Sequence, residues 1–177
     1  PLSSHINIMM NQLGFLMRGE IIWDKSASAG SSCAWGSFQS ASNPCLRDVH
    51  EYLLVFSKGN YKLPREKSER SDGRIDTIPR DDFIQHTKSI WSFATERASR
   101  VNHPAPFPVE LPKRCIEMYS FAGDVVLDPF NGSGSTCVAA KMTGRTYVGI
   151  DLSEEYCAIA QKRIDETELW TAPEIEV

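Results

Sequence analysis

The chain has 177 residues, 41% of them hydrophobic and 24% charged, the make-up of an ordinary soluble fold with enough length for one domain with a real core. No apolar run approaches the roughly 20 residues that a membrane helix requires, which argues against a membrane role. A net charge of -4 argues against nucleic-acid binding through bulk electrostatics, although the charge is unevenly spread.

Residues 3–13 carry Ile6, Met9, Met10 and Leu13 at helical spacing, with Ser3 or Ser4 as a cap and Gly14 as a left-handed stop, and so predict a short amphipathic helix. Residues 15–23 (FLMRGEIIW) and 51–57 (EYLLVFS) are aromatic and branched runs that predict two strands buried on both faces. The Ser/Gly/Ala-rich residues 24–48 between them, with Trp35, Phe38 and an Asn43-Pro44 turn, are too many for a simple connection. From 59 to 103 the periodicity weakens, leaving apolar islands near Phe83-Ile84 and Ile90-Trp91-Phe93, as expected of an inserted, partly helical segment. Residues 58–100 hold ten Lys/Arg against seven Asp/Glu, whereas 101–177 hold six against twelve, so phosphate contact is expected of the middle and not of the end.

After the proline cluster HPAPFP, residues 109–120 predict a helix with Leu111, Cys115, Met118 and Tyr119 on one face and Pro112 in its first turn. A buried strand at 125–128, a glycine turn at 131–135, a helix at 136–143 ended by Gly144, a strand at 146–151 and a capped helix at 153–166 then make one β-α-β-α unit with parallel strands. Residues 167–177 read as a loosely ordered tail. The five cysteines are odd in number, form no C-x-x-C pair and sit mostly in apolar runs, which predicts buried, reduced thiols in a cytoplasmic protein and no metal site.

The chemistry concentrates in VVLDPFNGSGST. Asp128 ends a strand, and Gly132 and Gly134 occupy the turn before a helix, where glycines permit close backbone approach and exposed amides favour an anionic group. Asp151 ends the next strand 19 residues beyond Gly132, near the spacing at which an acid accepts both hydroxyls of a ribose. A P-loop is excluded because Gly134 is followed by Ser135 and Thr136 rather than Lys. The dinucleotide fingerprint fails because its third glycine falls at Cys137. On spacing alone a nucleoside site competes with a structural strand-to-helix turn.

DPFNGSGST followed by YVGIDLSEEY resembles the cofactor motif of the S-adenosylmethionine-dependent DNA amino-methyltransferases that act on N4 of cytosine or N6 of adenine, and HPAPFP resembles the motif that closes around the methionine end in their permuted (beta-type) subgroup. EIIWDK and DVHEYLLVFSK resemble strands of the catalytic half. The resemblance implies an α/β, Rossmann-like methyltransferase sheet, mostly parallel with one antiparallel strand and incomplete at the N-terminus. Within one structural domain, residues 1–58 would be the end of the catalytic half, 59–102 an inserted target-recognition segment and 103–177 the cofactor half. It implies that Asp128, Pro129, Phe130, Gly132, Gly134 and Thr136 line the cofactor, that Asp151 holds the ribose, and that His103, Pro104, Phe107 and Pro108 flank the methionine moiety, where the alternative is a rigid connector. Trp35 and a basic group of Arg65, Lys67, Arg70, Arg74 and Arg80 are the candidates for contact with double-stranded DNA, although Trp35 serves equally well as a core plug.

One departure is large. The family's catalytic tetrapeptide ends in Pro-Pro-aromatic, and no two prolines here are adjacent. In the permuted order that motif would precede Pro1, so no catalytic residue is expected in this chain, which would bind cofactor weakly and methylate nothing alone. The expected partners are DNA and either a cognate restriction system or a chain bearing the missing motif. The alternatives are a non-catalytic assembly subunit and a methyltransferase of RNA or small molecules.

Overall fold

The computed structural model describes residues 2–26, 46, 48–62, 74–96 and 107–171. Two compact units divide the chain, one of Pro1–Lys67 with Thr87–Ala94 and one of Ser68–His86 with Thr95–Val177.

The first unit begins with helix α1 (Leu2–Gln12), which stops where Gly14 takes a φ of 85°. Strand β1 (Phe15–Asp24) then pairs antiparallel with β2 (His50–Lys58), with a register shift between Met17 and Gly19. A short strand, β3 (Ile90–Ser92), lies parallel to the other edge of β1, giving the order β2-β1-β3. The register sets Trp23 beside Trp91, and both are buried. The indole of Trp23 donates to the carbonyl of Phe93 at 3.0 Å and stacks on its ring at 5.3 Å, which satisfies the buried N–H as burial of an indole requires.

Two expectations need correction here. Ile90-Trp91, an apolar island of the segment expected to be partly helical, is strand, because two branched or aromatic residues suffice when a finished edge is available to pair with. Neither β1 nor β2 is buried on both faces: only Ile21 and Trp23 of β1 are buried, and Tyr52 of β2 is exposed, as in antiparallel pairs that cover one face only. Helix α1 buries none of its residues, and its Leu2, Ser3, Ile6 and Met10 line an open groove of about 850 Å³ with His50, Tyr52, Leu54 and Phe56.

The second unit contains α2 (Arg80–His86), α3 (Glu110–Tyr119), β4 (Val125–Asp128), α4 (Ser135–Met142), β5 (Thr146–Gly149) and α5 (Glu154–Asp165). β4 and β5 are parallel, Val125 to Asp128 facing Thr146 to Gly149 in order. Alternation sends Val126 and Tyr147 toward Ile116, Ala139 and Ala140, which form the core with Cys137, Val138 and Ile164. It sends Val125 and Leu127 the other way, 69% and 60% exposed, so β4 is covered on one face and not on both as predicted. The buried residues of α3 are Pro112, Ile116 and Glu117 rather than the expected Leu111, Cys115, Met118 and Tyr119.

Arg145 is buried at the start of β5 and joins two helix ends. Its guanidinium donates to the carbonyls of Ser120 (2.6 Å) and Thr143, to Ser120 Oγ (3.1 Å) and to Thr77 Oγ1 (2.5 Å), so carbonyl dipoles at the C-termini of α3 and α4 face the cation. Cys115, Cys137 and Cys157 are free thiols, and Cys157 is exposed, which corrects the expectation that the cysteines are buried for that residue; Cys33 and Cys45 lie outside the described residues. Among the described residues no helix is long and apolar enough to cross a membrane.

Candidate functional site

β4 and β5 end side by side, and the chain leaves each carboxyl end past an acid. Asp128 closes β4, and its Oδ1 accepts the amide of Phe130 at 3.0 Å. Asp151 lies just beyond β5, and its carboxylate takes the amide of Gly132 on Oδ2 at 2.8 Å and that of Ser153 on Oδ1 at 2.9 Å. The ladder between the strands continues into the turn: Ile150 donates to the Asp128 carbonyl and Asn131 to the Ile150 carbonyl, both at 2.9 Å. Two acids from neighbouring strand ends therefore grip alternate amides of one turn. Ser153 also caps α5, its hydroxyl accepting the amide of Tyr156 at 3.3 Å.

The turn itself is buried throughout residues 131–135. Gly134 has a φ of 83°, and a Cβ built there would lie 2.7 Å from Cβ of Ala160, so this glycine is required both by its conformation and by the approach of α5. Its amide donates to the Asn131 carbonyl at 2.8 Å. The expectation that the turn offers open amides to an anion is thus corrected for Gly132 and Gly134, whose N–H groups are used to fold the turn.

The predicted site residues fall as follows. Asp128, Pro129, Phe130, Gly132, Gly134 and Asp151 gather at the carboxyl ends of β4 and β5, and Thr136 stands half-buried in the first turn of α4. Phe107 and Pro108 lead into α3, and the Phe107 carbonyl accepts Ser135 Oγ at 3.1 Å, which ties that segment to the start of α4. His103 and Pro104 lie outside the described residues, as do Trp35, Arg65, Lys67 and Arg70. Of the basic group only two members are described. Arg74 sits over the ring of Phe121 at 5.1 Å, and Arg80 opens α2 and is exposed, followed directly by Asp81 and Asp82.

Sequence reasoning passes over Asn131, Leu152 and Arg163. Asn131 is buried, its Oδ1 accepts the Cys137 thiol at 3.2 Å, and its side chain lies where a Cβ on Gly149 would come within 2.6 Å of it. Its position inside the glycine motif is the available signal. Burial, assisted by the negative charge of Asp128, pushes the Cys137 thiol up to about 11. Leu152 directly follows Asp151 and is fully exposed, and Phe130 is 87% exposed. Among the described residues no group of three or more His, Cys, Asp or Glu could hold a metal.

A family model described as DNA methylase matches residues 2–162. Type II methyltransferase M.MthZI of Methanothermobacter thermautotrophicus is 32% identical over 160 residues, covering 87% of this chain and 45% of the relative. Type II methyltransferase M.SmaI of Serratia marcescens is 32% identical over 154 residues, covering 85% and 47%. A protein of Thermus thermophilus assigned as a DNA modification methylase, solved in complex with S-adenosyl-L-methionine, superposes with a TM-score of 0.70 at 32% identity, over 94% of this chain and 60% of that one. The chain thus spans about half the length of the two curated relatives.

Proposed function

The chain belongs to the N6/N4 DNA methylase family, and from that premise we propose that it carries the S-adenosylmethionine site of an enzyme that methylates the exocyclic amino group of cytosine (N4) or adenine (N6) in double-stranded DNA. The observation that carries the reading is the convergence of Asp128 and Asp151 on one buried glycine turn, beside the exposed Phe130 and Leu152. The cofactor supplies an activated methyl group. This chain's residues bind and orient it: Asp151 meets the ribose, Phe130 and Leu152 wall the base, and Gly132, Gly134 and Thr136 shape the corner. His103, Pro104, Phe107, Pro108, Asp128 and Pro129 complete the lining.

The division into a catalytic remnant (1–58), a recognition segment (59–102) and a cofactor half (103–177) belongs to the same reading, with Trp35, Arg65, Lys67, Arg70, Arg74 and Arg80 toward DNA. Sequence-specific positioning on DNA divides into phosphate and base contacts, and arginines serve both. The protein works in the cytoplasm. Because no two prolines are adjacent, the Pro-Pro-aromatic element that would receive the target amine comes from polypeptide other than these 177 residues, and the chain alone transfers no methyl group. The flipped base must be presented to the cofactor in line, a matter of alignment rather than of acid–base chemistry.

Titration of the chain with S-adenosylhomocysteine by calorimetry is expected to give saturable one-to-one binding, and incubation with radiolabelled S-adenosylmethionine and mixed-sequence DNA is expected to leave the DNA unlabelled. Absence of binding defeats the cofactor reading; labelled DNA defeats the claim that the chain alone is inactive.

A further inference from the structure

Arg163 lies on α5, thirty residues beyond Ser133, and no sequence motif points to it. Its Nη1 donates to the Ser133 carbonyl at 2.5 Å and to Ser133 Oγ at 3.0 Å, and reaches Ser135 Oγ at 3.4 Å. The Ser135 hydroxyl passes the connection on by donating to the Phe107 carbonyl at 3.1 Å. One guanidinium therefore holds the middle of the glycine turn and the first residue of α4. Through Ser135 it also holds the segment ahead of α3. Burial works against the charge of Arg163 and Glu96 works for it, so the cation is kept at a desolvation cost beside neutral oxygens that it orders. All three contacts run from Nη1, whose two N–H groups are shared among one carbonyl and two hydroxyls.

We propose that Arg163 is a positioning residue for the cofactor turn: it sets the Ser133 peptide and, through Ser135, holds Phe107 against the start of α4, so that cofactor affinity depends on a residue outside every motif. The inference rests on reading this turn as the S-adenosylmethionine site, and its test separates the two. In the full chain, Arg163→Ala is compared with wild type, Arg163→Lys and the neighbouring surface variant Lys162→Ala, by hydrogen exchange of the amides of residues 131–136 and by calorimetry with S-adenosylhomocysteine.

Arg163→Ala is expected to speed exchange in the turn and weaken binding by roughly tenfold each, the effect of losing hydrogen bonds to a charged group. Arg163→Lys should fall between the two, and Lys162→Ala should match wild type. Added guanidinium is expected to restore part of the binding to Arg163→Ala and none to wild type, which a purely structural loss would not allow. Wild-type exchange in the turn of Arg163→Ala overturns the proposal. If that variant fails to fold, wild-type exchange and affinity in Arg163→Lys overturn it instead. If wild type itself does not bind S-adenosylhomocysteine, the cofactor reading fails, while the exchange measurement still decides whether Arg163 orders the turn.

Discussion

The Gly132 amide and the Asp151 carboxylate meet at 2.8 Å, so the acid at the end of β5 is a structural member of the turn that follows β4. A side chain chosen for a ligand would leave the turn intact when replaced. Asp151 does not. Asp151→Asn keeps the size and removes the charge from two amide contacts, and each hydrogen bond to a charged group is worth about 1.5–3 kcal/mol. Affinity for S-adenosylhomocysteine is expected to fall at least tenfold, together with faster hydrogen exchange at Gly132 and Ser153, both measurable on one sample. Lost affinity with unchanged exchange at those two amides would mean that the acid serves the ligand only.

Gly134 and Gly123 share nearly the same backbone, with φ of 83° and 86°, but differ in surroundings. A Cβ at Gly123 meets nothing within 4 Å, whereas one at Gly134 meets Ala160 at 2.7 Å. Gly123→Ala should cost about 1–2 kcal/mol, the penalty of the left-handed conformation. Gly134→Ala should cost at least about 1 kcal/mol more because α5 must shift. Urea denaturation of the two variants checks the order, and equal losses would contradict the packing described at Ala160.

Arg145→Lys is expected to destabilise the second unit by about 2–4 kcal/mol although the charge is retained, because an ammonium cannot reach Ser120, Thr143 and Thr77 together. Denaturation with a tryptophan-independent signal such as far-ultraviolet dichroism reads the loss. A change below about 0.5 kcal/mol, the range of ordinary surface substitutions, would show that the shared fork carries no stability.

Burial pushes the thiols of Cys115 and Cys137 up to about 11, while Cys157 is exposed. At pH 8 a thiol-directed reagent followed by peptide mapping should modify Cys157 well before Cys115 or Cys137. The sign for stability follows from the same shift. Below the unfolded thiol pKa, about 8.5, both thiols are neutral in either state and contribute nothing against folding. As pH rises toward 11 the unfolded chain ionises first, so stability falls across that window. Cys137→Ala should reduce the slope there, and an unchanged slope would contradict the protonated state in the fold.

Periodicity is a good guide where one residue decides one turn of structure: Gly14 stops α1, Ser153 caps α5, and the glycine turn stands between β4 and α4. It misjudges faces, because burial depends on what covers a strand rather than on the strand's own residues, and Val125 and Leu127 are as apolar as the Val126 between them. β3 escapes it since three residues carry too little pattern, and Trp91 becomes strand only against Trp23. Within the site, Asp128, Asp151 and the glycines are legible from spacing. Arg163 is not, because its contact with Ser133 crosses 30 residues and leaves no local trace.

The packing of Asn131 on Gly149 couples two positions that lie far apart in the chain. With the Asn131 side chain filling the space above the last residue of β5, a larger residue at 149 must displace that side chain. A library randomising 131 and 149 together is therefore expected to return larger residues at 149 chiefly beside smaller ones at 131.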